Sequence, residues 1–449
     1  MQIVVIGGVA AGTRAAARAK RINPEAEIII LERDSDISYS GCGFPYYISD
    51  LIKGRGELIV YNPTEFQAAK GVEVRTKQLV KKIVPANKEI QVKDLEEDRT
   101  YSLNYDKLLI ATGAEPVIPP IPGVELDNIF TLRNVRSAER IKSFIEEKDP
   151  QRAVIVGGGH IGMELAENFL ALDLQVTVVE MAEQILTTLD PEMAELVSEH
   201  LIKKGVEILT DDGVVEFAGS KQVEKVITDS GVELEADFVV LAIGVRPNVE
   251  LAKKAGIELG QSGAIKVNSK LETSLSNIYA AGDCVESKHL LTDKSVWIPL
   301  GSTANKQGRV AGSNLGGKKS EFEGVLGTAI AKVCDLTVAS TGLNETMAEK
   351  EGFKVVSSTV RVPSKAGYYS GPESIFIKLV INQENEKLLG AQVVGEAGVD
   401  KRIDVLATAI YNQMTVKELV KLDLAYAPPY STPIDGLLTA GIVAGKEFD

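Results

Sequence analysis

Ile3-Val4-Val5-Ile6-Gly7-Gly8-Val9-Ala10-Ala11-Gly12 is the stretch that decides the fold. Four apolar residues read as a buried strand and the glycines as a tight turn. The alanine-rich segment beyond them, carrying Arg14, Arg18 and Arg21, reads as a helix. A second strand, Glu27-Ile28-Ile29-Ile30-Leu31, closes on Glu32, twenty positions after Gly12, the distance at which a carboxylate bonds a ribose hydroxyl. Strand, glycine turn, helix, strand and carboxylate together form a dinucleotide-binding unit, with Gly7, Gly8, Gly12 and Glu32 as its candidate cofactor residues. Val9 stands where the middle glycine of the fingerprint usually falls.

The pattern recurs at Ala153-Val154-Ile155-Val156-Gly157-Gly158-Gly159-His160-Ile161-Gly162, followed by a helix through Leu170 and a strand from Gln175 to Glu180. Here Gly157, Gly159 and Gly162 complete the fingerprint. Glu180 closes the unit without an arginine after it, so a 2′-phosphate meets repulsion and NADH is favoured over NADPH. This doubled unit is the only internal repeat, and it implies two bound dinucleotides. Leu108-Leu109-Ile110-Ala111-Thr112-Gly113-Ala114 and Leu241-Ala242-Ile243-Gly244-Val245-Arg246-Pro247 close the two units. Asn277-Ile278-Tyr279-Ala280-Ala281-Gly282-Asp283 later sets a carboxylate after a small-residue turn.

With these segments in place the chain resembles, over nearly its whole length, the two-dinucleotide-fold flavoprotein disulfide reductases. The resemblance implies an α/β fold: two nested Rossmann-like dinucleotide-binding domains plus a C-terminal α/β dimerisation domain. An FAD-binding domain is expected from 1–112 with 245–325, an NAD-binding domain from 113–244, and a dimerisation domain from 326–449. Thr112 and Asp283 are then FAD residues, Asp283 serving the ribitol and pyrophosphate.

Cys42 lies in Ser38-Tyr39-Ser40-Gly41-Cys42-Gly43-Phe44-Pro45-Tyr46-Tyr47, between two glycines and just ahead of a helix start at Pro45. A helix N-terminus is expected to lower its thiol pKa. Positions 37 and 47 hold Ile37 and Tyr47 rather than a second cysteine, so Cys42 must draw its oxidised partner from solution. This arrangement is similar to the family of coenzyme A disulfide reductases, persulfide reductases, NADH peroxidases and water-forming NADH oxidases. In the last two a histidine stands at the position of Ala10. The resemblance assigns coenzyme A contacts to Arg18, Arg21, Ser38 and Lys70. Arg14 shares a helix face with the two arginines, at spacings of four and seven residues. Gly41 departs from the asparagine often found there. Tyr368 and Tyr426, in two aromatic turns, are implied to reach the substrate pocket of the opposite subunit and so to join Cys42 as catalytic residues. His160 falls where relatives carry an aromatic gate, whereas His200 and His289 read as solvated.

The expected activity is NADH-dependent, FAD-containing reduction of coenzyme A disulfide, coenzyme A persulfide or polysulfide. The alternatives are an NADH oxidase or peroxidase and a redox-sensing binding protein. Composition fits such an enzyme. The 449 residues are 44% hydrophobic and carry a net charge of −14, which disfavours nucleic acid as a partner. Three separated cysteines suit neither a disulfide scaffold nor a metal site, and with Met1 running straight into an apolar strand neither a signal peptide nor a membrane anchor is expected. A cytoplasmic homodimer with shared active sites, no metal, and a small-molecule disulfide or persulfide substrate is expected.

Overall fold

The computed structural model describes residues 1–448. The first apolar run forms the strand Gln2–Ile6, central in a five-stranded parallel sheet. Glu27–Leu31 and then Glu73–Arg75 flank it on one side, Lys107–Ile110 and Ile278–Ala280 on the other. Its interior positions are fully buried, which is why the run is continuously apolar rather than alternating. A second five-stranded parallel sheet is centred on Arg152–Val156, between Gln175–Val179 and Phe238–Leu241, with Glu207–Leu209 and Ile129–Thr131 at its edges. The strand Ile278–Ala280 returns to the first sheet only after the second is complete, so one unit is nested in the other.

The alanines of the first helix, Ala10–Ile22, serve two neighbours. They pack on the sheet and let the helix Gly301–Leu315 approach until a Cβ on Gly308 would fall 2.5 Å from the Ala11 carbonyl oxygen. The C-terminal part holds a mixed-length antiparallel sheet in the order Ala329–Val333, Leu336–Gly342, Leu388–Gly395, Ser374–Asn382, Val355–Pro363. The helices Val399–Tyr411 and Gly436–Gly445 bury their apolar residues against it.

A buried lysine joins this sheet to the second parallel unit. Lys378, 2% exposed, binds Asp190 at 2.9 Å, Glu192 at 2.5 Å and Glu345 at 2.8 Å. Burial alone would lower its pKa, but the three carboxylates outweigh burial and hold it above the usual lysine range. Asp190, itself 2% exposed, also accepts from Gln392 Nε2 at 2.7 Å and from the Glu345 N–H. Among the described residues no helix is long and apolar enough to cross a membrane, and no cluster of side chains suits a metal ion.

Candidate active site

The two glycine turns fold alike because each requires the same backbone geometry. Gly7 and Gly157 have φ of 107° and 110°, a region that side-chain-bearing residues avoid. A Cβ on Gly12 would lie 1.9 Å from the Gly7 oxygen, and one on Gly162 would lie 2.1 Å from the Gly157 oxygen. Glu32 accepts the Gly8 N–H at 2.7 Å and the Asp34 N–H at 3.0 Å. Glu180 repeats this with Gly158 at 2.6 Å and Ala182 at 2.8 Å. The likeness extends to Ser38 and Leu186, whose N–H groups meet the Gly8 and Gly158 carbonyls at 2.8 and 2.9 Å. Each turn thus offers a helix start whose first N–H groups are free for phosphate, beside a carboxylate suited to ribose. Two dinucleotides fit these cradles, and Val9 fits where the middle glycine is missing, since it caps its helix and lines the cavity.

Both cradles open into one cavity of about 1480 Å³. Cys42 is the one cysteine in its lining. Gly41–Gly43 is a single tight helical turn, and Phe44–Ile48 continues it for five residues, with Phe44 and Ile48 packed into the core. The thiol faces the open cavity, and no disulfide forms among the described residues. The expected lowering of its pKa is not found. Burial against the cavity wall and the carboxylates of Glu164 and Asp283 push it up, and so short a helix develops too little dipole to counter them. Cys284 is buried, with Sγ 3.4 Å from the Ala281 oxygen, and burial raises its pKa to about 11.

Thr112 lines the same cavity and donates its hydroxyl to the Asn248 carbonyl at 2.7 Å. Asp283 follows Gly282 (φ 88°) and pairs with Arg133 Nη2 at 3.0 Å. Nothing in the sequence marks Arg133. Glu164, four residues beyond His160 on the first turns of the second cradle's helix, is signalled only by that spacing. Burial, with the Glu167 carboxylate behind it, pushes its pKa up to about 7. The start of Gly301–Leu315 reaches the cavity at Leu300, Gly301 and Ser302, placing a helix N-terminus there as well.

Of the expected coenzyme A residues, Arg14 and Arg21 are exposed and have no hydrogen-bond or ion-pair partner among the described residues. Arg18 Nε donates to Ser313 Oγ at 3.1 Å. Lys70 sits 4.7 Å over the Tyr61 ring and 3.3 Å from its hydroxyl. The chain links these positions: the Ser38 carbonyl accepts the Val60 N–H, and Gly71 lies against Lys20 of the first helix. Tyr368 and Tyr426 stand apart from the cavity of their own chain. They are 77% and 46% exposed, with their hydroxyls 2.9 Å from one another. His160 lines the cavity, and burial lowers its pKa. The other two histidines correct the expectation of solvated side chains. His289 is 4% exposed, because its polar loop folds inward, and His200 Nε2 is buried 3.8 Å from Asp335 without a hydrogen-bond partner among the described residues.

Comparison with known proteins matches residues 1–308 to the pyridine nucleotide-disulphide oxidoreductase family and residues 328–436 to the dimerisation domain of that family. The chain is 38% identical over 449 residues to an NADH oxidase of Methanocaldococcus jannaschii, covering 100% of this chain and 99% of that one. It is 40% identical over 438 residues to a CoA-dependent NAD(P)H sulfur oxidoreductase of Pyrococcus furiosus, covering 97% of each. The structure of an NAD-dependent persulfide reductase from A. fulgidus superposes with a TM-score of 0.97 at 41% identity, covering 100% of this chain and 84% of that one.

Proposed function

The chain belongs to the pyridine nucleotide-disulphide oxidoreductase family, and on that premise we propose that it is an NADH-dependent reductase of coenzyme A disulfide, coenzyme A persulfide or polysulfide acting through Cys42. The observation that carries this reading is a single thiol facing a cavity shared by two dinucleotide cradles. Gly7, Gly8, Gly12, Glu32, Thr112 and Asp283 hold FAD; Gly157, Gly159, Gly162 and Glu180 hold NADH. Held there, FAD would supply two-electron transfer from NADH to the sulfur on Cys42.

The residues of the chain do the rest. The Cys42 thiolate attacks one sulfur of the substrate; a Cys42–sulfur bond forms as the substrate's sulfur–sulfur bond breaks, and one coenzyme A leaves as thiolate. Two-electron reduction of the mixed disulfide returns the Cys42 thiolate and frees the second coenzyme A. For the disulfide the balance is NADH, one proton and coenzyme A disulfide giving NAD⁺ and two coenzyme A thiols. A coenzyme A persulfide gives one thiol and hydrogen sulfide. Arg14, Arg18 and Arg21, with Ser38 and Lys70, form the phosphate-binding face for coenzyme A. In a homodimer, Tyr368 and Tyr426 of one subunit serve Cys42 of the partner subunit and protonate the leaving thiolate. Three free thiols fit a reducing cytoplasm.

Mass spectrometry of the purified enzyme tests this. Cys42 should carry coenzyme A as a mixed disulfide, or acquire it from coenzyme A disulfide, and reduction should release it. Cys42→Ser should keep FAD and NADH-to-dye activity while losing disulfide and persulfide turnover; full turnover by that variant refutes the assignment. Charge reversal at Arg18 and Arg21 should weaken coenzyme A binding, and an unchanged affinity removes these arginines from the site. A second reading, oxidation of NADH by oxygen, shares the same cradles, but Ala10 presents only a methyl group to the cavity and no proton donor for an oxygen intermediate. Turnover with oxygen exceeding that with coenzyme A disulfide would favour it.

A further inference from the structure

A buried ion pair grips both aromatic turns from beneath. Arg402, on the helix Val399–Tyr411, is 0% exposed, and Asp435, which caps Gly436–Gly445, is 3% exposed. Arg402 donates from Nε and Nη2 to Asp435 Oδ1 and Oδ2 at 3.1 and 2.9 Å. The same two groups reach the turns. Arg402 Nη2 lies 3.4 Å from the Ser364 carbonyl, and Ser364 closes the loop carrying Tyr368 by exchanging hydrogen bonds with Glu373 at 2.8 and 3.0 Å. Asp435 Oδ2 accepts the Ser431 hydroxyl at 2.6 Å, and the Ser431 N–H donates to the Ala427 carbonyl, one residue past Tyr426. Between the turns the Ala366 N–H meets the Pro428 carbonyl at 3.3 Å. The tyrosine hydroxyls sit above this scaffold, bonded among the described residues only to one another.

Such a pair is an inefficient source of stability, because removing both ions from water costs several kcal/mol that an apolar pair of equal volume does not incur. What the apolar pair lacks is direction. A planar fork on a carboxylate fixes orientation as well as distance. Here Arg402 Nη1 also donates to the Gly398 carbonyl at 2.9 Å and Asp435 also takes the Leu437 N–H and Lys401, while the contacts to Ser364 and Ser431 tie the pair to the two turns that carry the tyrosines.

We propose that Arg402 and Asp435 are positioning residues for the sulfur half of the reaction, holding the Tyr368 and Tyr426 hydroxyls where they protonate the departing thiolate. This rests on the reading above, in which those tyrosines serve Cys42 of the partner subunit. Misplacement of such a group by about 1 Å costs up to roughly a hundredfold in rate.

Stopped-flow measurements on the dimeric holoenzyme separate the two half-reactions: bleaching of the flavin by NADH, and its recovery on addition of coenzyme A disulfide. Arg402→Lys keeps the charge and loses the fork. Recovery should slow by roughly tenfold to a hundredfold while bleaching is unchanged. In a Tyr368→Phe/Tyr426→Phe background the same substitution should add nothing. Slowing of both half-reactions, or a further slowing in that background, is the signature of a merely structural role and overturns the proposal. Recovery at the native rate in the tyrosine double variant itself overturns the underlying reading. A slowed double variant beside an unaffected Arg402→Lys overturns the positioning role alone. Should Arg402→Lys fail to fold, Ser431→Ala cuts the link from Asp435 to the Tyr426 turn and is judged by the same outcomes.

Discussion

Replacing Glu180 by glutamine isolates charge from shape in the choice of nicotinamide cofactor. The carboxylate holds the Gly158 and Ala182 N–H groups at 2.6 and 2.8 Å, which fixes it at the end of its strand, where a ribose hydroxyl would be read. A 2′-phosphate at that place adds negative charge within contact distance. Unit charges 4 Å apart repel by ~4 kcal/mol at an effective dielectric constant of 20, and by ~1 kcal/mol in bulk water. A half-buried carboxylate falls between these limits, so about 2–3 kcal/mol is at stake, or roughly 30- to 150-fold in kcat/KM. Steady-state kcat/KM with NADH and with NADPH, at low ionic strength and a fixed disulfide concentration, should show that preference in the native enzyme. Glu180→Gln keeps one backbone contact through its amide oxygen and should bring the two cofactors to within a few-fold of each other, by about the amount just derived. Glu180→Arg should reverse the order. Equal use of both cofactors by the native enzyme, or a ratio unmoved in Glu180→Gln, refutes the reasoning.

Mixing inactive Cys42→Ser subunits with inactive Tyr368→Phe/Tyr426→Phe subunits should restore activity, since one site of each heterodimer is then intact; verified heterodimers without turnover would contradict shared sites. Because burial and Glu167 raise Glu164 to about 7, the fold favours its neutral form: that advantage is full below the ordinary carboxylate range and is lost as pH rises through 7. Glu164→Gln should therefore stabilise the protein increasingly from pH 5 to pH 8, and Tm values measured across that range check the sign. Lys378→Met should destabilise by about 3 kcal/mol, the lower end for breaking a buried pair, because Asp190 loses its cation but keeps Gln392, while Glu192 and Glu345 can turn to solvent. A chemical-denaturation midpoint equal to that of the native enzyme would count against this.

The doubled fold is legible in the sequence because the glycine spacing encodes backbone constraints directly: the φ of Gly7 and the Gly12–Gly7 contact admit almost no other residue. Cys42 is conspicuous for a related reason, as a lone thiol in a turn next to a complete cradle. What the sequence hides is set by residues far apart along the chain. Arg133 meets Asp283 across 150 positions, and Lys378 meets Glu192 across 186. The direction of the Cys42 shift is set first by burial and then by Glu164 and Asp283, all of which come from other elements, so reasoning from the local helix start gives the wrong sign. His289 lies in a segment that reads as a polar loop, yet its bridge to Val325, far along the chain, draws it into the fold, where it is 4% exposed.

The lysine set among three carboxylates bears on how the nicotinamide side of the cavity opens. Swinging the second parallel unit away from the antiparallel sheet would pull Asp190 and Glu192 off a cation that is 2% exposed, and would tear Glu167 from Lys332 as well. That cost of several kcal/mol makes the two parts move as one body. Entry and exit of the nicotinamide would then turn on rotation of exposed side chains on the cavity wall, such as Ile330, rather than on a hinge. Such rotations take picoseconds to nanoseconds where the side chains are exposed, far faster than microsecond-to-millisecond domain closure. Turnover in this enzyme should accordingly be insensitive to solvent viscosity.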